Sequence, residues 1–248
     1  MGSVWKTLLF TLGAVPVLLL SGCGHRTAAR LPAPAAAPPP ARIAPTPAPP
    51  GGIDADDLDY IATHRPILTQ VGLATWYRAP YAGRRSANGQ IFSDDALTAA
   101  NRTLPLGALV VVTNLRTGQS SPMRITDRGP FVEGRILDLT IASARAIGIY
   151  RSGSAMVRMD IYRAPKPILT GGRWCVQIGA LKNQRQARKL KRQLERRYPG
   201  ARVIDFPGET EHSYWVRIRP EGDDRGQAEF IARHVHPAEG EAFITRLD

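Results

Sequence analysis

Five short apolar runs separated by glycine-containing turns occupy residues 71–163, and this pattern restricts the fold more than any other feature of the chain. The runs lie at residues 73–77, 109–114, 123–126, 135–139 and 156–162. Strands of this length and spacing are typical of a β-barrel or a β-sandwich. Residues 141–149 differ, because Ala142, Ala146 and Ile149 recur at helical spacing and predict one helix that covers the floor of the barrel.

The C-terminal part of the chain alternates strand-like and helix-like segments. Asn183 stands where it can cap a helix whose apolar residues, from Ala187 to Tyr198, fall on one stripe. A second helix is predicted at 224–236, and strands are predicted at 174–178, 202–206, 214–219 and 242–245. The order βαββαβ is that of a small ferredoxin-like domain. The chain therefore divides into a mainly β domain at 71–163, a linker at 164–171 and an α+β domain at 172–248.

Proline and alanine dominate residues 30–52, which include three consecutive prolines at 38–40. A segment of this composition cannot build a core, and it favours an extended polyproline II conformation of about 3.1 Å per residue. Residues 23–70 are predicted to be a tether that ends in a solvated, acidic lead-in to the first domain. The acidic residues of that lead-in are Asp54, Asp56, Asp57 and Asp59.

The N-terminus resembles a bacterial lipoprotein signal, because an apolar run at 7–20 is followed by Leu20-Ser21-Gly22-Cys23. The run of about 14 residues is shorter than the roughly 20 that a spanning helix needs. The resemblance implies removal of 1–22 and attachment of lipid chains to Cys23. Gly24 in place of aspartate favours the periplasmic face of the outer membrane. A disulfide between Cys23 and Cys175 is the alternative in an oxidising compartment.

The formal net charge of +12 would normally suggest nucleic acid, an anionic membrane or an acidic polymer as partner. Export to the cell envelope excludes nucleic acid and leaves the membrane and the envelope polymer. The first helix of the second domain carries much of the charge, which predicts either a solvated face or an electrostatic hold on the envelope. Its basic residues, opposed by Glu195, are Arg185, Arg188, Lys189, Lys191, Arg192, Arg196 and Arg197.

Residues 125–131, with the sequence ITDRGPF, contain the best candidate for chemistry. The Gly129-Pro130 pair ends the preceding strand, because proline has no N–H to give to a β-ladder. Asp127 is therefore presented at a strand end beside Arg128. A carboxylate in this setting can act as a general acid or base, and an Asp-Arg pair in a turn can equally be structural. The residues alone leave both interpretations open.

Six sequence blocks in order resemble the rare lipoprotein A family of septal-ring lytic transglycosylases. They are residues 71–77 (VGLATWY), 86–89 (SANG), 97–100 (LTAA), 104–107 (LPLG), 112–115 (VTNL) and 126–131 (TDRGPF). The resemblance implies a six-stranded double-psi β-barrel at 71–163. The second domain, which contains VQIGA at 176–180, is similar to the sporulation-related (SPOR) repeat. That similarity implies binding to peptide-free glycan strands at division sites, with septal-ring proteins as further partners.

The family resemblance implies cleavage between N-acetylmuramic acid and N-acetylglucosamine without water. An acid protonates the leaving oxygen, and a base then helps the 6-hydroxyl of the sugar to close a 1,6-anhydro ring. One carboxyl group can serve both steps, whereas a glycoside hydrolase uses a flanking pair. Asp127 matches the active-site aspartate of the family.

Two positions depart from the family pattern, since Gln90 and Asn101 stand where the family has glutamate and histidine. Neither side chain titrates near neutral pH, so both keep a hydrogen-bonding shape without proton transfer. Together with Asp127 they form the predicted catalytic set. The alternative functions are a non-catalytic peptidoglycan-binding lipoprotein on the same scaffold and an expansin-like protein that loosens glycans without cutting them.

Substrate contacts are predicted from residues of both domains, namely Tyr81, Arg128, Trp174, Gln177 and Trp215. Trp76 and Tyr77 are predicted to lie in the core. The five histidines show no metal-binding spacing, so no metal and no cofactor are predicted.

Two further carboxylates in the barrel domain need an interpretation. Glu133 follows the Asp127 turn and could replace the missing acid, although a solvated position is favoured. Asp138 is interpreted as structural, paired with Arg124 or Arg128.

Overall fold

The computed structural model describes residues 52–77, 83–207 and 212–248, which belong to one compact unit. The lipidation site at Cys23, most of the predicted tether and the predicted substrate contact at Tyr81 lie outside these residues. Within the described ranges, no helix is both long and apolar enough to cross a membrane.

The first helix, α1 (Ala55–Thr63), lies inside the segment predicted as a tether. Asp54 caps it by accepting a hydrogen bond from the Asp57 N–H at 2.8 Å. The Asp57 carboxylate is fully buried, with Arg124 at 2.5 Å and Arg163 at 2.6 Å. The prediction of a solvated acidic lead-in is therefore wrong for Asp57, because two arginines supply the pairing that a buried carboxylate requires.

The first domain is a closed six-stranded barrel, as predicted. Its strands are β1 (Leu68–Trp76), β2 (Thr98–Ala100), β3 (Leu109–Asn114), β4 (Ser120–Asp127), β5 (Arg135–Leu139) and β6 (Ser154–Arg163). Around the barrel they follow the order β1-β5-β2-β4-β3-β6. The β1/β5 and β2/β4 pairs are parallel, and the other four pairs are antiparallel.

The barrel interior is filled by alternate residues of the strands, among them Val110, Val112, Met123 and Ile125. Strand β2 escaped sequence analysis because it has three residues, all buried, and so no alternation. The helix α2 (Ile141–Ala146) is shorter than the predicted 141–149. It begins at its N-cap Thr140 and ends before Ile147, whose backbone leaves the helical region.

The second domain has the predicted βαββαβ order. Its elements are β7 (Trp174–Leu181), α3 (Gln184–Glu195), β8 (Ala201–Pro207), β9 (His212–Ile218), α4 (Arg225–His234) and β10 (Glu241–Arg246), with a 3-10 turn at Glu221–Asp223. The antiparallel sheet has the order β10-β7-β9-β8. Asn183 caps α3, as predicted, by accepting from the Arg185 N–H at 2.8 Å.

The two faces of this sheet have different neighbours. The helix-covered face, with Val176, Ile178, Val216 and Ile218, shares a core with residues of α3 and α4. The barrel-covered face, with Cys175, Gln177, Trp215 and Phe243, lies against the first domain. Phe131 of the barrel packs on Trp215 and Phe243, with ring centroids 4.7 and 6.1 Å apart.

Candidate functional site

Asp127 is the last residue of β4, as predicted, and its carboxyl group is held by three donors. Oδ1 accepts from the Arg128 N–H at 2.8 Å and the Ala87 N–H at 3.0 Å, and Oδ2 accepts from the Tyr77 hydroxyl at 3.4 Å. The Asp127 carbonyl accepts from the Asn101 N–H at 3.1 Å. The carboxyl group is thus fixed by the residue after β1, by the loop at 86–90 and by the N–H of the next residue, and the chain after β2 holds the Asp127 backbone.

Burial raises the pKa of Asp127 above its ordinary value. The two backbone N–H groups, the Arg128 charge and the Tyr77 hydroxyl oppose this shift without cancelling it. Because burial penalises the charged form, the carboxyl group keeps its proton to higher pH than an exposed aspartate does. A carboxyl group with this property can give up a proton and take one back.

Gln90 lies in a tight turn that is attached to the Asp127 strand. The Asn88 N–H donates to the Thr126 carbonyl at 3.1 Å, and the Asn88 side chain bonds the Gln90 N–H at 3.0 Å and Gln90 Oε1 at 2.8 Å. Gly89 has a φ of +88°, a conformation that glycine adopts without strain. Asn88 and Gly89 therefore position Gln90.

The Asn101 side chain, by contrast, is occupied by backbone groups. Its Oδ1 accepts from the N–H groups of Thr103 at 2.9 Å and Leu104 at 2.8 Å, and its Nδ2 donates to the Ile136 carbonyl at 3.0 Å. The residue is 3% exposed. Asn101 touches Asp127 only through its backbone, so its placement supports a structural role in the turn rather than the predicted catalytic one.

Arg128 binds the protein itself where a substrate contact was predicted. Its guanidinium donates to the carbonyls of Asn101 at 3.0 Å, Leu104 at 2.7 Å and Asp248 at 2.6 Å. Burial, together with the nearby charge of Arg246, lowers the pKa of Arg128 to about 10. Arg128 thus links the Asp127 turn to the second domain.

Asp138 stands two strands away from Asp127, since Ala100 of β2 pairs with both. It accepts a hydrogen bond from the Thr75 hydroxyl and lies 3.9 Å from Arg135. The predicted partner Arg124 instead pairs with Asp57. Burial raises the pKa of Asp138, partly opposed by Thr75 and two arginines. The local contacts favour the structural interpretation, with a partner other than those predicted.

The predicted sugar contacts of the second domain separate onto different faces of the sheet. Trp174 is 1% exposed, packs with the helix-covered face and donates Nε1–H to the Gly171 carbonyl at 2.8 Å. Gln177 and Trp215 share the barrel-covered face, at 6% and 9% exposure. Trp215 lies so close over Gly179 that a Cβ there would stand 1.8 Å from the indole. The structure brings Gln177 and Trp215 together and leaves Trp174 apart.

Sequence reasoning missed two donors to Asp127, Tyr77 and the Ala87 N–H. Tyr77 is predicted to lie in the core, although its position directly after β1 resembles that of Asp127 at the end of β4. No side-chain pattern marks a backbone N–H, so Ala87 could not have been found. Glu133 is exposed, in keeping with the solvated position favoured for it. The described residues contain no cluster of three or more side chains suited to hold a metal ion.

Two family models match the chain. The model described as "Lytic transglycolase" covers residues 69–159, and the SPOR domain model covers residues 170–244. These ranges coincide with the closed barrel and with the βαββαβ domain.

Several curated proteins are similar over the barrel region. The "Probable endolytic peptidoglycan transglycosylase RlpA" of Synechocystis is 58% identical over 90 residues, which are 36% of this chain and 28% of that protein. The "Endolytic peptidoglycan transglycosylase RlpA" of Pasteurella multocida is 40% identical over 116 residues, or 47% of this chain and 40% of that protein. The protein of the same name from Vibrio cholerae is 42% identical over 100 residues, or 40% of this chain and 38% of that protein.

The chain therefore matches less than half the length of these relatives. The barrel, its motif residues and the following SPOR domain occur here in one chain and in the order that the sequence blocks predicted. The chain thus contains a barrel that matches the "Lytic transglycolase" family model and, after it, a SPOR domain, and its barrel is similar to those of the RlpA proteins.

Proposed function

We propose that this protein is a lytic transglycosylase that cuts peptide-free peptidoglycan strands and leaves 1,6-anhydro-N-acetylmuramic acid ends. The observation that carries the proposal is the Asp127 carboxyl group, which is held by two backbone N–H groups and has a pKa raised by burial. Similarity of the barrel to the RlpA transglycosylases and the match of the second domain to the SPOR model support the choice of substrate and of reaction.

The reaction needs one proton and no water. The protonated Asp127 carboxyl gives its proton to the glycosidic oxygen, and the bond from that oxygen to C1 of N-acetylmuramic acid breaks. The carboxylate then takes the proton of the 6-hydroxyl of the same sugar. At the same time the oxygen of that hydroxyl forms a bond to C1 and closes the anhydro ring. Asp127 ends in its starting state. The N–H groups of Ala87 and Arg128 stabilise the carboxylate that exists between the two steps.

Gln90 contributes hydrogen bonding to this reaction but no proton transfer, because its amide does not titrate. General acid-base assistance by a positioned group is typically worth about 10²- to 10⁴-fold. The enzyme is therefore expected to be slower than relatives that keep glutamate at this position.

A non-catalytic glycan-binding protein is the second candidate, and one observation favours it. The Asn101 side chain is fully engaged by backbone groups and is not free to assist the reaction. Since Gln90 and Asn101 do not titrate, Asp127 is the one titratable group of the predicted catalytic set. In that case the barrel binds the glycan strand without cutting it.

The proposed location follows from both ends of the chain. Lipid chains on Cys23 would anchor the protein to the periplasmic face of the outer membrane, and the SPOR domain would direct it to septal glycan. The basic residues Arg185, Arg188 and Arg192 of α3 are exposed and available to acidic envelope polymers. Replacement of Cys23 by Ala should release the protein from membranes in detergent partitioning.

Digestion of peptide-free sacculi with mass analysis of the products tests the proposed activity. The parent protein should release fragments with anhydro ends, and Asp127→Asn should release none while it keeps the glycan binding of the parent and remains folded. Glu133→Gln is the matched control, since it removes an exposed carboxylate from the same loop. Undiminished cutting by Asp127→Asn would contradict the proposal, and an inactive parent that still binds glycan would favour the second candidate.

A further inference from the structure

Arg102 lies where the barrel site meets the second domain. It directly follows Asn101, whose N–H binds the Asp127 carbonyl, and its own carbonyl accepts from the Arg246 N–H at 2.8 Å. Its guanidinium carbon stands 4.7 Å from the centroid of the Phe243 ring. Arg102 therefore contacts the barrel-covered face while it remains one residue from the Asp127 contact.

The guanidinium of Arg102 has a donor that no described residue uses. Its Nη1 is buried and has no hydrogen-bond partner among the described residues. The charges of Asp138 and Glu241 face the group, yet no hydrogen bond joins Nη1 to either carboxylate. Burial also lowers the pKa of Arg102. Buried polar groups without a partner are rare in proteins, so this one calls for a ligand.

The chemistry of the free donor selects the class of ligand. A guanidinium presents parallel N–H groups that match a carboxylate or a phosphate, and stacking on an aromatic ring fixes its plane. The guanidinium lies over the Phe243 ring, and Phe131 connects that ring to Trp215; aromatic rings of this kind pack against sugar rings. The surroundings thus fit a sugar that carries a carboxylate.

We infer that Arg102 is a specificity-determining residue that binds the free lactyl carboxylate of peptide-free N-acetylmuramic acid at the boundary between the two domains. In a peptide-bearing strand the same lactyl group is joined to the stem peptide through a neutral amide. Removal of the peptide therefore creates the negatively charged carboxylate that Arg102 binds. This inference rests on the proposed function for its substrate. It explains the selection of peptide-free strands by attraction of their carboxylate to Arg102 rather than by steric exclusion of the stem peptide.

The test measures binding in the full chain with Asp127→Asn, so that no strand is cut. Three glycan ligands are compared: peptide-free strands, the same strands after carbodiimide coupling of the lactyl carboxyl to methylamine, and peptide-bearing strands. The protein with Arg102 intact should bind the free carboxylate about 10-fold or more tighter than the amidated strands, as expected for one charge-assisted hydrogen bond.

Arg102→Gln should bring the affinities for free and amidated strands to the same value, and Arg102→Lys should retain part of the preference. Arg116→Gln is the matched control, because it removes the same charge from an exposed turn between β3 and β4 and should leave the preference unchanged. Thermal unfolding of every variant separates loss of the contact from loss of the fold.

An undiminished preference in Arg102→Gln would overturn the inference. So would an Arg102-dependent preference for peptide-bearing strands, which would assign the carboxylate to the stem peptide. The proposed activity is judged separately from anhydro products of the protein with Asp127 intact. Anhydro products without Arg102-dependent selection would refute only the inference, and Arg102-dependent selection without anhydro products would refute only the activity.

Discussion

The two faces of the second domain's sheet arise from alternating residues of the same strands, yet they are built differently. The helix-covered face packs mainly apolar residues against α3 and α4, with the buried Arg246 at its edge beside Trp174. The barrel-covered face mixes aromatic and polar groups, and Arg217 Nε and Thr245 Oγ1 on this side have no hydrogen-bond partner among the described residues. From this difference we expect the barrel-covered face to open more readily than the helix-covered face.

The largest expected effect is a difference in the free energy of unfolding that is lost when one residue on each face is replaced by alanine. Ile178→Ala on the helix-covered face should lower the free energy of unfolding by about 2–5 kcal/mol, because it leaves a cavity in a packed core. Gln177→Ala on the barrel-covered face removes one hydrogen bond with Arg217, at 2.9 Å, and should cost about 1 kcal/mol. Denaturant unfolding of the full chain measures both values. Equal losses for the two neighbours would break the comparison.

A smaller effect is expected where the barrel meets the second domain. Phe131→Ala removes aromatic contacts with Trp215 and Phe243 that are worth about 0.5–1.5 kcal/mol, so the barrel-covered face should open more often. The Cys175 thiol on that face is buried, which raises its pKa to about 11 and makes it a slow nucleophile. In a protein with Cys23→Ser, a thiol reagent should label Cys175 faster after Phe131→Ala.

Val132→Ala is the control for this labelling experiment, because Val132 is the next residue and is exposed. Its labelling rate should equal that of the parent. If Phe131→Ala also left the labelling rate unchanged, the contact between Phe131 and the second domain would not limit how often the barrel-covered face opens, which would contradict the comparison.

The smallest effect is a dependence of stability on pH. The pKa of Asp127 lies above its ordinary value of 3.8. A group whose pKa is raised by folding stabilises the protein below its unfolded pKa, and this contribution is lost as the pH rises through the folded pKa. Asp127→Asn should therefore be more stable than the parent near neutral pH and lose that advantage at pH values below 3.8. A variant less stable than the parent at neutral pH would contradict this origin of the shift.

Local patterns predicted most of the architecture. Alternation within β3 and β4 and the Asn183 cap of α3 are properties of adjacent residues, and they were read correctly. Strand β2 has three residues and no period, so its existence depends on its neighbours β4 and β5. Sequence patterns of this kind cannot detect an element that pairing alone defines.

The candidate site was predictable where a residue's role follows from its own chemistry and failed where the role depends on distant partners. Asp127 was found from its carboxylate and the proline that follows. The burial of Asp57 depends on arginines 67 and 106 residues away, and the contact of Trp215 depends on Phe131 in the other domain. Asn101 stands at a position that is catalytic in the family pattern, but its side chain binds Thr103, Leu104 and Ile136, and these hydrogen bonds support a structural role.

We propose that Asp127 transfers a proton to and from the sugar and that no water enters the reaction. The most direct measurement is digestion of peptide-free strands in water labelled with heavy oxygen, followed by mass analysis of the new ends. The account predicts anhydro ends that are one water lighter than hydrolysed ends and carry no label, and their loss in Asp127→Asn. Labelled reducing ends would instead show attack by water and would contradict a transglycosylase mechanism.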